Sequence, residues 1–136
     1  MKLSKILAAV SFAACIIFSS CDYFFPPFSG DKVSPEETYN YLIKHQNDKD
    51  IMILDVRTKD EYVKSHLLYA VWMDYSDPSF PGTVEKLDKN KTYIIYSGDD
   101  GKSANTFQLM KELNFGNAHY ISGGINEWQK HGFPVQ

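Results

Sequence analysis

Cysteine is scarce in this chain, and both of its cysteines, Cys15 and Cys21, lie near the N-terminus. Residues 22–136 contain none. A disulfide within that part of the chain is therefore impossible. Any reaction in which a cysteine thiolate of the folded domain acts as nucleophile is excluded for the same reason.

Basic clusters and metal-ligand spacings are lacking as well. The chain has 14 lysines and arginines against 17 acidic residues, with no basic stripe, so we predict no nucleic-acid partner. Its four histidines are scattered along the sequence, and we predict neither a metal site nor a cofactor. The chain does have an apolar fraction of 43% in 136 residues, which is enough to build the core of one domain.

The N-terminus predicts an anchor that is separate from the domain. A basic start precedes an apolar run at residues 6–18, which is too short to span a bilayer comfortably and typical of a signal peptide. Two serines then precede Cys21, and this pattern resembles a bacterial lipoprotein signal. The resemblance implies that residues 1–20 are cleaved and that Cys21 is lipidated on sulfur. A plain secretory signal or an uncleaved anchor stays open as the alternative.

Two consequences follow for the mature chain. Cleavage removes two lysines and no acidic residue, so the formal net charge falls from −3 to −5. Residues 21–32, rich in proline and aromatics, predict a lipidated tether that precedes a domain at residues 33–136. We expect the protein in the cell envelope, lipid-anchored to a bacterial membrane and facing the periplasm or exterior.

Strand and helix patterns alternate through the domain. Apolar runs rich in β-favouring residues predict strands at 51–56, 67–73, 92–96 and 118–121. Capping signals and apolar periodicity predict helices at 35–45, 59–64, 83–87, 104–115 and 125–130. This alternation is typical of an α/β fold with a parallel sheet and helices on both faces. Ligands of such sheets bind beyond the carboxyl ends of the strands.

One strand end carries the candidate site. The strand at 92–96 leads into a small polar loop, and a helix follows at once; the loop consists of Ser97, Gly98, Asp99, Asp100, Gly101, Lys102 and Ser103. The first N–H groups of a helix have no partners within the helix, and the helix dipole favours an anion there. Ser97 lies at the end of the strand, where a nucleophile would be placed.

Three motifs now resemble the rhodanese-like domain family. Residues 54–57, 61–62 and 66–70 resemble its “DVR…EY…GHI.GA” signature, and residues 123–135 resemble its closing “GGI..W...G.PV”. The resemblance covers about residues 33–135 and implies a single domain with a five-stranded parallel sheet. Ser65 and Tyr69 stand where the family usually has glycines.

The resemblance also implies roles for individual residues. Asp55, Arg57 and His66 would support the loops, with Asp55 and Arg57 as an ion-paired brace. The family's active loop begins with a cysteine, and here that position holds Ser97. Sulfur transfer in the family passes through a cysteine persulfide, which a serine hydroxyl cannot form. Asp99 and Asp100 would also repel the thiosulfate dianion, against the attraction of Lys102 and the backbone N–H groups.

The preferred interpretation is a membrane-tethered rhodanese-like domain without sulfurtransferase activity. It would act as a monomeric binding or regulatory module, with a protein partner or a small anion at the 97–103 loop. Residual activity as a thiosulfate or related sulfurtransferase is one alternative. A hydrolase with Ser97 as nucleophile and His66 as base is another. A nucleotide site at residues 98–103, which end like a Walker motif, is a third.

Overall fold

The computed structural model describes residues 28–136 of the chain. The predicted signal peptide at 1–20, the lipidated Cys21 and most of the predicted tether lie outside the described residues. Within residues 28–136, the helices are too short or too polar for any of them to cross a bilayer.

Five strands and five helices alternate along the described chain. The strands are β1 (Lys32–Val33), β2 (Ile51–Asp55), β3 (Val71–Trp72), β4 (Thr92–Tyr96) and β5 (Ala118–Ile121). The helices are α1 (Pro35–Lys44), α2 (Lys59–Lys64), α3 (Phe80–Glu85), α4 (Gly101–Glu112) and α5 (Gly124–Lys130). The strands form one parallel sheet in the order β1-β5-β4-β2-β3. The predicted α/β class, with five parallel strands, is confirmed.

The centre of the sheet is built from the most continuous apolar runs. β2 and β4 pair along their whole length, from Ile51 with Thr92 to Asp55 with Tyr96. Alternate residues of these strands enter two separate cores, because both faces of the sheet are covered. Ile53, Ile94 and Tyr96 pack on the side of α1 and α5. Leu54, Tyr93 and Ile95 pack on the side of α3 and α4. We call these the α1/α5 face and the α3/α4 face.

The domain extends further toward the N-terminus than the boundary predicted at residue 33. β1 begins at Lys32 and pairs with β5, and Phe28 is only 3% exposed. The ring of Phe28 lies 4.7 Å from that of Tyr41 and 4.9 Å from that of His119. This extension could not be predicted from the sequence, because a two-residue strand after a proline-rich segment has no periodicity to detect.

Other boundaries differ from the sequence prediction for local reasons. β3 is two residues long rather than seven, because Leu67 leaves the sheet to bridge Val135 of the C-terminal segment. α3 starts at Phe80 rather than 83, with a proline in its first turn, where the ring is tolerated. In α1 the buried residues are Pro35 and Thr38, whereas Tyr41 and Leu42 are half-buried.

Tyr69 carries backbone strain at a position where the resemblance implies a glycine. Its φ is +63°, in the left-handed region, and its side chain is 82% exposed. Because a Cβ costs about 1–2 kcal/mol in this region, Tyr69→Gly should raise the free energy of unfolding by about 1 kcal/mol. Urea denaturation measures it. Asn114→Gly, at the same φ of 63°, is the control and should gain less, since asparagine tolerates this conformation. A loss of stability in Tyr69→Gly would contradict the prediction.

Candidate functional site

The 97–103 loop lies at the carboxyl end of β4, as the sequence predicted, but α4 begins at Gly101 rather than 104, so residues 101–103 form its first turn. Three neighbouring elements surround it at the same edge of the sheet. They are the end of β2 with Asp55 and Arg57, the start of α2 with Glu61, and the turn between β5 and α5 with Gly123 and Gly124.

Ser97 is buried, with 1% of its surface exposed. Its hydroxyl donates a hydrogen bond to the carbonyl of Asp99. The same oxygen accepts the N–H of Ser103 at 3.3 Å and lies 3.2 Å from Ser103 Oγ. The Ser97 hydroxyl therefore links the start of the loop to its end, and its hydrogen bonds are all made within residues 97–103.

The carboxylate of Asp99 binds the first N–H of α4. Its Oδ1 accepts the N–H of Gly101 at 2.9 Å, while the residue as a whole is exposed. Aspartate is favoured at such positions because it satisfies a free N–H and complements the helix dipole. The sequence predicted an anion at this N-terminus, and in the structure an anionic side chain of the loop occupies it.

Asp100 points elsewhere and has a structural role. Its Oδ1 accepts the N–H of Gly123 at 2.6 Å, and its Oδ2 lies 2.6 Å from Lys32 Nζ. Burial acts to raise the pKa of Asp100, but the hydrogen bonds from Lys32 and Gly123 outweigh it and hold the pKa below its usual range. Lys32 of β1 therefore offsets part of the charge of Asp100, and the repulsion of an anion by both acids stays a prediction.

The backbone of the loop is held by the start of α5. The carbonyl of Ser97 accepts the N–H of Ile125 at 2.9 Å, and that of Gly98 accepts the N–H of Asn126 at 3.2 Å. Gly124 makes this approach possible, since an added Cβ there would lie 2.2 Å from the Ser97 carbonyl oxygen. Its φ of +56° also favours glycine.

Asp55 and Arg57 form the ion pair that the sequence predicted. Arg57 Nη2 lies 2.6 Å from Asp55 Oδ2, and Nε lies 2.9 Å from Oδ1. Tyr96 donates its hydroxyl to Asp55 Oδ2 at 2.6 Å and accepts the N–H of Leu67 at 3.1 Å. Arg57 also donates to the carbonyl of Ser65 at 2.6 Å. This network ties β2, β4 and the segment at 65–67 together beneath the loops.

The sequence predicted Glu61 only as part of the cap of α2, but in the structure it also lies beside the 97–103 loop. Its carboxylate accepts the N–H and the hydroxyl of Thr58, at 3.1 and 2.7 Å. These bonds, with smaller contributions from the charges of Arg57 and Lys102, lower the pKa of Glu61. A Cβ at Gly98 would lie 3.9 Å from both Glu61 Oε1 and Asn126 Nδ2. The sequence could not predict that Glu61 lies near Gly98, because α2 and the loop come together only in the folded sheet.

His66 does not pair with Ser97. Its Nδ1 lies 2.8 Å from the Tyr62 carbonyl, and its Nε2 lies 3.0 Å from Gln136 Nε2. Its backbone exchanges two further hydrogen bonds with Gln136, so His66 fixes the C-terminus. The serine–histidine pair that the hydrolase alternative requires is not formed. Among residues 28–136, no group of histidine and acidic side chains is placed to hold a metal ion.

Comparison with known proteins gives relatives at low identity. The chain is 29% identical over 83 residues to the thiosulfate sulfurtransferase GlpE of Coxiella burnetii, covering 61% of this chain and 76% of that protein. It is 29% identical over 109 residues to the adenylyltransferase and sulfurtransferase UBA4 of Debaryomyces hansenii, covering 73% of this chain. The chain spans only 23% of the length of UBA4, and 62% of an uncharacterized protein of Buchnera aphidicola.

Solved structures give the same fold. The crystal structure of a rhodanese-related protein from Thermoplasma volcanium superposes with a TM-score of 0.67 at 21% identity, covering 79% of this chain and 98% of that one. The family of rhodanese-like domains matches residues 38–131, which is more than half of the chain, and the chain belongs to that family.

Proposed function

We propose that this protein is a membrane-tethered rhodanese-like domain that binds a partner at the 97–103 loop and does not transfer sulfur. One observation carries the proposal. Ser97 stands where the family's persulfide-forming cysteine is expected, and its hydroxyl is buried in hydrogen bonds to Asp99 and Ser103. Residues 22–136, which include the loop, contain no cysteine that could supply a thiol instead.

The loop geometry favours a protein partner over a small anion. The carboxylate of Asp99 already satisfies the Gly101 N–H, so an incoming anion would have to displace it. The same carboxylate is exposed and attracts a cationic group, and the net charge of −5 expected for the mature chain adds a weak attraction. Trp72 of β3 is 37% exposed, and its Nε1 donates to the Arg57 carbonyl beside the site. A basic segment of a protein fits this combination of carboxylate and aromatic surface.

Tethering rests on the sequence of the first 21 residues. The basic start, the apolar run and the small residues before Cys21 support a lipid on that cysteine. The tether would hold the domain at the membrane surface and raise its local concentration for partners there.

The activity test uses the formation of thiocyanate from thiosulfate and cyanide. The wild type should stay at background, and Ser97→Cys should give weak turnover at most, since Asp99 repels the dianionic donor. Asp99→Asn added to Ser97→Cys should raise the rate about tenfold, equivalent to about 1.4 kcal/mol, because asparagine keeps the cap without the charge. The gain should shrink at high salt, as exposed charges are screened.

Glu112 provides the matched control. Glu112→Gln added to Ser97→Cys removes an exposed carboxylate at the far end of α4, so it should bring no comparable gain. Turnover by the wild type would overturn the proposal that the domain lacks sulfur transfer. Equal rates for Ser97→Cys and its combination with Asp99→Asn would show that Asp99 does not repel the donor.

A further inference from the structure

A groove of about 510 Å³ opens on the α1/α5 face, at the edge of the sheet opposite the 97–103 loop. It runs between the second half of α1 and the segment at 67–69, with the start of β2 between them. Its floor is apolar and buried, with Ile53, Leu67 and Trp128 as the main contributors. Leu67 also donates its N–H to Tyr96 in the network described above, whereas Ile53 and Trp128 take no part in that network.

The rim of the groove presents apolar side chains to solvent. Ile43 is 54% exposed, Leu68 38% and Tyr69 82%, and all three line the same groove. Single exposed apolar residues are ordinary, but an adjoining group around an apolar groove marks an interaction surface. Tyr69 also holds a strained backbone conformation that a glycine would avoid, so the fold bears a cost to place an aromatic ring there.

The N-terminal chain joins the domain on this same face. Phe28 packs on Tyr41 of α1, at a ring distance of 4.7 Å. Tyr41 in turn stacks on His45 at 4.4 Å, and His45 lines the groove. The described chain therefore begins on the same face of the sheet as the groove, with Tyr41 and His45 between Phe28 and the groove.

The length of the tether limits which face can reach a membrane. Seven peptide units separate Cys21 from Phe28, and fully extended they span at most about 25 Å. A domain of about 109 residues has a radius of gyration of about 13 Å, so its diameter exceeds that reach. A lipid at Cys21 therefore keeps the bilayer within about 25 Å of Phe28, a distance that includes the rim of the groove on the same face.

We propose that the rim formed by Ile43, Leu68 and Tyr69 rests on the phospholipid surface as a second membrane contact beside the lipid anchor. This inference rests on the proposed lipid at Cys21. Tyrosine suits the place, because its ring is apolar and its hydroxyl stays at the level of the headgroups. The 97–103 loop, at the opposite edge of the sheet, is then presented away from the bilayer.

The test measures depth in the bilayer with the full-length lipidated protein in phosphatidylcholine vesicles. The variant Ile43→Cys carries a nitrobenzoxadiazole fluorophore on the new thiol. Gln108→Cys, at an exposed position of α4 on the opposite face, carries the same fluorophore in the control. A nitroxide attached to the lipid headgroup should quench the label at 43 at least threefold more than the label at 108. Tyr69→Gly, which relieves backbone strain, should lower the quenching at 43 at least twofold. Val63→Ala, at an exposed position of α2, should leave it unchanged.

Several outcomes separate the possible failures. Equal quenching at 43 and 108 in protein that still incorporates palmitate would overturn the membrane contact and leave the anchor standing. A label at 43 that is shielded from aqueous iodide but not quenched by the lipid nitroxide would mean that a protein segment covers the groove, either residues 21–27 or a second copy, and would also overturn the inference. Equal palmitate incorporation in wild type and Cys21→Ala would overturn the anchor and the inference together.

Discussion

Asp55→Ala should lower the free energy of unfolding by about 3–5 kcal/mol, because it leaves the buried guanidinium of Arg57 without its counter-ion. Both side chains are almost fully buried, so water cannot replace the lost carboxylate. The hydroxyl of Tyr96 loses its acceptor in the same step, and the Leu67 N–H that it binds loses its support. Urea denaturation at pH 7 measures the loss.

Two further variants test the cause of that loss. Adding Arg57→Met to Asp55→Ala should recover part of the lost stability, because the double variant no longer buries a charge without a partner. Glu112→Ala removes a carboxylate that is exposed at the end of α4 and should change the free energy of unfolding by less than about 0.5 kcal/mol. A loss below about 1 kcal/mol in Asp55→Ala would show that solvent reaches Arg57 and that the brace is dispensable.

Gly124→Ala should destabilise the domain by about 4 kcal/mol, a value reached only where a specific steric conflict exists. An added Cβ would lie 2.2 Å from the Ser97 carbonyl oxygen and 2.9 Å from that of Asp99, so the loop or α5 must shift. The positive φ of Gly124 adds strain that no rearrangement of the loop removes. Thermal unfolding followed by circular dichroism measures the effect.

Gly82 provides the matched control for this substitution. It lies inside α3, and an added Cβ meets nothing within 4 Å. Gly82→Ala should therefore gain up to about 1 kcal/mol, because alanine favours the helix more than glycine does. Wild-type stability in Gly124→Ala would contradict the close approach of α5 to the loop.

The sequence predicted those helices and strands whose capping residues or apolar pattern lie within the element or directly beside it. α2 has its predicted bounds, because Thr58 and Glu61 form a capping pair within one turn. β4 also has its predicted bounds, as an uninterrupted apolar run between two polar turns. β1 was not predicted as a strand. Two residues are too few to show an alternation of apolar and polar side chains, and their partner strand lies near the other end of the chain.

The same division holds at the candidate site. The pairing of Asp55 with Arg57 could be predicted, because the two residues are neighbours at one strand end. The roles of Asp99 and Asp100 could not be told apart from the sequence. Asp99 binds an N–H two residues away, whereas Asp100 binds Lys32, which comes much earlier in the chain. Which carboxylate is paired with a cation depends on β1, the strand that the sequence did not reveal.

The pairing of β1 with β5 has a consequence for how the protein is made. Lys32 is among the first residues of the domain to leave the ribosome, and its partner Tyr120 is among the last. Contacts between distant parts of a chain form late, because the intervening loop must close first. The side chains of Phe28 and Val33 must therefore stay exposed until almost the whole domain has been synthesised. Early attachment of the N-terminus to a membrane would keep this segment away from other unfinished chains during that interval.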